Sequence, residues 1–236
     1  MEANGHDRKG LVCLCELMGS CLFIFGIINT PVPVIIPFML LASIVIWGDI
    51  TGGHFNPAVT LGVFVTLEDK SKNVMFMIMI MISQIVGGCL AIAFAYGGAW
   101  GKENPTLASL TPVNPVTHQP DNAVSTLDYS MDLQVVINEM MCTFIFVSVI
   151  LMIKGEHTAG DRKGLAAAFS VVLTLLCCIA ATNKLGACFN PAVGISVTLN
   201  SILWFGAQEY LYHYLYAYTL GPAAGALIAG FFHCMI

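Results

Sequence analysis

The sequence predicts an all-α membrane protein of six transmembrane helices and two re-entrant half-helices, arranged as an inverted repeat. Three observations carry that expectation. The 236 residues are 57% hydrophobic and only 10% charged, whereas soluble domains carry roughly 25% charged residues, so the apolar excess needs lipid to face. Six long apolar runs alternate with more polar segments, and two shorter apolar runs open with the same four residues.

A helix needs about 20 mostly apolar residues to cross about 30 Å of hydrocarbon. Residues 10–29, 33–50, 74–96, 133–153, 163–181 and 210–232 meet that requirement. They are continuous runs, without the alternation of a transmembrane β-barrel. Residues 1–10 are polar, and the run after them lacks a small-residue cleavage site, so it reads as the first helix rather than a signal peptide. Cys13, Cys15, Cys21, Cys89, Cys142, Cys177 and Cys178 lie within apolar runs and show no metal-ligand spacing. They read as free thiols acting as small core hydrophobes. No metal and no cofactor is expected. The net charge of −5 gives no sign of a nucleic-acid partner. With no nucleophile–base arrangement or phosphate loop, an enzyme finds no support.

The short runs, 56–67 and 190–201, begin Asn56-Pro57-Ala58-Val59 and Asn190-Pro191-Ala192-Val193. Asn is a strong helix N-cap and Pro is favoured at the first helical position, so each motif starts a helix. Twelve residues give about 18 Å, close to half a bilayer. Non-helical backbone at that depth is tolerable only inside protein or beside a watery cavity. A pore follows.

Arg8, Lys9, Lys70, Lys72, Lys154, Arg162 and Lys163 fall in alternate segments, against Lys102 and Lys184 in the others. The positive-inside bias then puts both termini in the cytoplasm and the loop 97–132 outside. The halves, roughly 10–96 and 133–232, also resemble each other. Glu16 and the residues after it match Glu139 and its successors; His54-Phe55-Asn56-Pro57-Ala58-Val59 matches Cys188-Phe189-Asn190-Pro191-Ala192-Val193; and Gln84-Ile85-Val86-Gly87-Gly88 matches Pro222-Ala223-Ala224-Gly225-Ala226. Three spans per half invert the second half, which places the functional path at the interface of the repeats.

Paired Asn-Pro-Ala motifs, Glu16 and Glu139 near the starts of the first and fourth spans, and Gly221-Pro222-Ala223-Ala224-Gly225 in the sixth resemble the aquaporin, or major intrinsic protein, family. The resemblance covers nearly the whole chain, residues 1–236, as one channel domain. It implies a homotetramer with one pore per protomer, passing water or small neutral solutes. Helix N-termini meeting at the midplane present partial positive charge and exclude cations, while the Asn56 and Asn190 amides donate to a passing oxygen. Carbonyls of Gly52, Gly53 and His54, and of Gly186, Ala187 and Cys188, are implied to form an acceptor ladder. Glu16 and Glu139 are implied to brace the re-entrant loops. Gly19, Gly87, Gly88, Gly221 and Gly225 suit close helix packing. Asp49 reads as a solvated mouth residue; His213 and the tyrosines at 210, 212, 214, 216 and 218 read as interfacial belt and packing residues.

One departure bears on selectivity. Water-selective members of the family follow the second motif with Arg, and this chain has Val193. The family's spacing puts Ile36, Cys178, Ala187 and Val193 in the filter, an apolar ring. The expectation is tolerance for glycerol, urea or ammonia, with cation exclusion resting on the helix dipoles. Two other readings stand beside the passive channel: a transport-impaired subunit of a larger membrane complex, and an ion or proton pathway through Glu16, Asp49 or Glu139. The plasma membrane is the default location.

Overall fold

In a computed structural model, the described residues are 6–30, 32–98, 110, 130–155, 164–182, 185–207 and 212–236. Lys102, Arg162, Lys163, Lys184, Tyr210 and most of the loop 97–132 lie outside them. The elements run α1 (His6–Asn29), a 3-10 turn (Pro33–Ile35) into α2 (Ile36–Thr51), α3 (Pro57–Thr66), α4 (Lys70–Gly98), α5 (Ser130–Lys154), α6 (Gly164–Thr182) and α7 (Pro191–Phe205). A second 3-10 turn (His213–Leu215) then leads into α8 (Ala217–His233). Six helical spans are long and apolar enough to cross a membrane; α3 and α7 are the shorter apolar helices. Residues 210 and 211 lie outside the described residues, and the described part of the last span passes through the 3-10 turn His213–Leu215 into α8.

The outer surface is apolar. Leu14, Val45, Met75, Leu133, Leu173 and Leu220, one from each span, are exposed, while Glu16, Gln84, Glu139, Asn190 and Asn200 are buried. Water would reverse that distribution, and hydrocarbon explains it.

Small residues set the helix pairing. α1 packs on α4, and α5 on α8 in the same way in the second half. A Cβ on Gly87 would overlap the Leu17 carbonyl, and one on Gly225 the Met140 carbonyl, so the backbones cross in contact at matched positions. Gly19 and Gly221 similarly leave room for the Phe55 ring and the Glu139 Cβ. All nine cysteines are free. Cys89 and Cys177 are exposed rather than in the core, since they fall on outward faces of α4 and α6. Of the tyrosines read as interfacial belt and packing residues, Tyr214 and Tyr218 are buried in the main core, whereas Tyr212 and Tyr216 are exposed.

Candidate pore at the meeting of two half-helices

Each half-helix begins as its residues require. Asn56 and Asn190 are extended N-caps followed by proline. The Asn56 Oδ1 accepts from the Ala58 N–H at 2.8 Å, and the Asn190 Oδ1 from the Ala192 N–H at 2.9 Å. Such a cap stabilises a helix start by about 1 kcal/mol. The amide nitrogens cross between the halves: Asn56 Nδ2 donates to the Phe189 carbonyl at 2.9 Å, and Asn190 Nδ2 to the Phe55 carbonyl at 3.0 Å. This reciprocal pair locks the N-termini of α3 and α7 together. An amide NH2 has two hydrogens, so each Asn keeps a second one to offer.

The backbone before each helix is unusual. Phe55, Ala187 and Phe189 are non-glycine residues at positive φ, of 46°, 47° and 54°. Each such residue costs of order 1 kcal/mol and persists only when its surroundings hold it there. Two buried carboxyl groups hold Phe55 and Phe189 in this way. Glu16 accepts from His54 N at 3.0 Å and Phe55 N at 2.7 Å. Glu139 accepts from Cys188 N at 2.7 Å and Phe189 N at 2.6 Å. Gly52, Gly53 and Gly186 take the sharper part of each loop at φ of 88°, 66° and 98°, a region open to glycine at little cost.

The first loop has extra support that sequence reasoning missed. Gln84 Nε2 donates to Glu16 Oε2 at 2.7 Å and to Thr60 Oγ1 at 2.9 Å. The Thr60 hydroxyl gives its one proton to the Asn56 carbonyl at 3.0 Å. It must therefore accept from His54 Nδ1, 3.2 Å away, which leaves Nε2 of a neutral His54 as an acceptor. Gln84 was visible in the sequence only as part of a repeat match. Its partner position in the second half is Pro222, which can donate nothing there.

Space follows the same axis. A cavity of about 20 Å³ at the meeting point is lined by Asn56, Asn190, His54 and Cys188, with Phe23, Leu40, Phe146 and Leu175 as an apolar wall. That is room for about one water. At the end bearing both termini lie wider cavities of about 500 Å³ and 630 Å³, which share Gly52, Lys154 and Gly155. His54 lines both the first of these and the central cavity. Asp49 is exposed and lines the larger one. Lys154, outside the expected site, donates to the Gly52 carbonyl at 2.5 Å.

The four expected filter residues belong to one apolar cluster. Cys178 and Val193 are buried in it, while Ile36 and Ala187 pack against it part-exposed. The Cys178 thiol turns toward the Cys142 carbonyl, 3.7 Å away. Tyr218, also missed, donates its hydroxyl between the carbonyls of Leu110 at 2.7 Å and Leu185 at 3.1 Å. It ties a residue of the long central loop to the second re-entrant loop.

Six spans, two half-helices joined at their N-termini and cavities along that line define an integral, multi-pass membrane channel of the inverted-repeat kind. The family described as Major intrinsic protein matches residues 29–233. The chain belongs to that family. It is 28% identical to Aquaporin-8 of Notomys alexis over 234 residues, covering 92% of this chain and 78% of the relative. It is 30% identical to Glycerol uptake facilitator protein-like 6 of Lactiplantibacillus plantarum over 188 residues, covering 78% and 74% of the two chains. The structure of an aquaglyceroporin from Plasmodium falciparum shares the fold, with a TM-score of 0.76 over 98% of this chain and 97% of that one, at 18% identity.

Proposed function

We propose that the protein passes water and small neutral solutes such as glycerol, urea or ammonia in single file past Asn56 and Asn190. The observation that carries this reading is the reciprocal bonding of the two Asn amides across the half-helix N-termini, beside a cavity of single-water size. Each Asn has an amide hydrogen to donate to a solute oxygen. The joined N-termini supply a positive field of roughly half a charge each, against which a dehydrated cation must move. Carbonyls of Gly52, Gly53 and His54 on one side, and of Gly186, Ala187 and Cys188 on the other, are the acceptors before and after that point. Glu16 and Glu139 then act as braces, because their oxygens are already engaged by loop N–H groups.

With Val193 where water-selective relatives carry Arg, the ring of Ile36, Cys178, Ala187 and Val193 offers few donors. We infer breadth toward neutral solutes rather than strict water selectivity; relatives carrying the names of aquaporins and of a glycerol facilitator are consistent with this. The repeats, residues 10–96 and 133–232, form one domain with both termini cytoplasmic, assembled as a homotetramer. Purified protein in liposomes tests the reading by stopped-flow light scattering. Water and glycerol permeabilities above those of empty liposomes are expected; equality for water, glycerol and urea alike would refute it.

A further inference from the structure

We propose that Lys154 is the cation barrier of this channel, standing at the termini-side mouth in place of the arginine absent from position 193. The inference rests on the channel reading above. Lys154 ends α5 and reaches across to α2's C-terminal loop, where its Nζ donates to the Gly52 carbonyl at 2.5 Å. That carbonyl is the first acceptor of the ladder, so the ammonium is fixed beside the route.

Two further observations put the charge on the path. Lys154, Gly52 and Gly155 line both termini-side cavities, which meet at this residue. A side chain built at Gly52 would come within 3.3 Å of Lys154 Nζ and 3.5 Å of His54 Nε2, so both nitrogens flank the same point. His54 lines both the 500 Å³ cavity and the central one. Nδ1 donates to Thr60, so in the neutral ring Nε2 is the acceptor nitrogen, which receives a solute hydrogen and adds no second charge. A neutral solute thus meets one donor and one acceptor at the mouth, and a cation meets a fixed positive charge.

Among the described residues, no carboxylate is ion-paired with Lys154. Glu16 accepts from His54 N, Phe55 N and Gln84 rather than from the Lys154 ammonium. Asp49 lines the outer cavity at the solvated end, where screening weakens it. Two unit charges about 4 Å apart disfavour each other by on the order of 1000-fold at an effective dielectric near 20. Side-chain motion and water leave roughly ten- to a hundredfold of that as exclusion.

The test compares the full-length wild type with Lys154→Met and Lys154→Arg in proteoliposomes, measuring glycerol permeability together with sodium and proton flux. Expected is a cation-tight wild type, a Lys154→Met variant whose cation flux relative to its own glycerol permeability rises at least tenfold, and a Lys154→Arg variant as tight as the wild type. Lys154→Gln serves in the same role if the Met variant does not reconstitute. A glycerol-permeable neutral variant as tight as the wild type overturns the assignment of Lys154 while leaving the channel reading intact. Absence of glycerol and water permeability from every protein, wild type included, overturns the channel reading and this inference with it.

Discussion

Replacing Glu139 by Gln removes one acceptor from the second re-entrant loop while preserving shape. Both carboxyl oxygens are engaged, at 2.7 Å to Cys188 N and 2.6 Å to Phe189 N. Gln offers a single carbonyl oxygen, so one of these N–H groups loses its partner and faces an NH2 instead. An orphaned buried N–H costs about 1–3 kcal/mol, with the lost hydrogen bond of similar size and overlapping it. Phe189, held at a φ of 54°, then relaxes toward negative φ and draws the Asn190 cap with it. A net loss of about 3 kcal/mol corresponds to a fall of roughly 6–12 °C in Tm for a chain of this length. Thermal unfolding in detergent, followed by circular dichroism, measures the shift; proteoliposome permeability measures the consequence. Glu68→Gln, the same change on an exposed side chain, is the control and shifts Tm little. A Glu139→Gln protein matching that control in Tm and in permeability would refute the bracing argument.

Val193→Arg places a cation and its donors in the apolar ring, and glycerol permeability should fall roughly tenfold relative to water, read by stopped flow on the same vesicles. Tyr218→Phe removes the hydroxyl shared by the Leu110 and Leu185 carbonyls; a loss of about 1 kcal/mol and faster proteolysis near residue 110 are expected, measured by Tm and by timed digestion. Gly87→Val collides with the Leu17 carbonyl and should abolish folded protein on size exclusion, whereas Gly97→Val, with open space around it, should not.

The sequence was most legible where composition and capping chemistry act locally. Asn56 and Asn190 start their helices because Asn-Pro favours a helix start in any setting, and the apolar runs mark the spans because lipid sets their length. Glu16 and Glu139 were singled out because a carboxyl group within an apolar run needs a partner. What it would bind came from resemblance alone. The contacts between distant segments were not legible. Nothing in the order of residues says that Lys154 reaches Gly52, that Tyr218 reaches Leu110, or that Gln84 bonds both Glu16 and Thr60, because these pairings depend on how the helices cross. The positive φ of Phe55 and Phe189 was hidden for a related reason: phenylalanine ordinarily avoids that region, and only a tertiary brace overrides the preference. Cys178 shows the same limit, since the family's spacing proposes it for the filter but says nothing of its thiol, which turns to the Cys142 carbonyl.

The two halves share a backbone plan but differ in chemistry along the route. On the termini side, His54, Thr60 and Gln84 form a bonded polar set around Glu16, with Lys154 beyond it. The matched positions of the other half are Cys188, Gly194 and Pro222, followed by the apolar ring at Val193. Repeat symmetry therefore preserves what folding needs, the capped half-helices and their carboxyl braces, and leaves the polar side chains free to differ. In the proposed channel, a solute would exchange most of its hydrogen bonds on the termini side and meet an apolar passage on the other. For a neutral molecule that passage is a matter of size. For an ion it is desolvation without compensation, added to the fields of α3 and α7 and to the ammonium at the mouth. In the proposed channel, discrimination by charge is thus displaced from the filter position toward Lys154, and discrimination by size toward the ring around Val193.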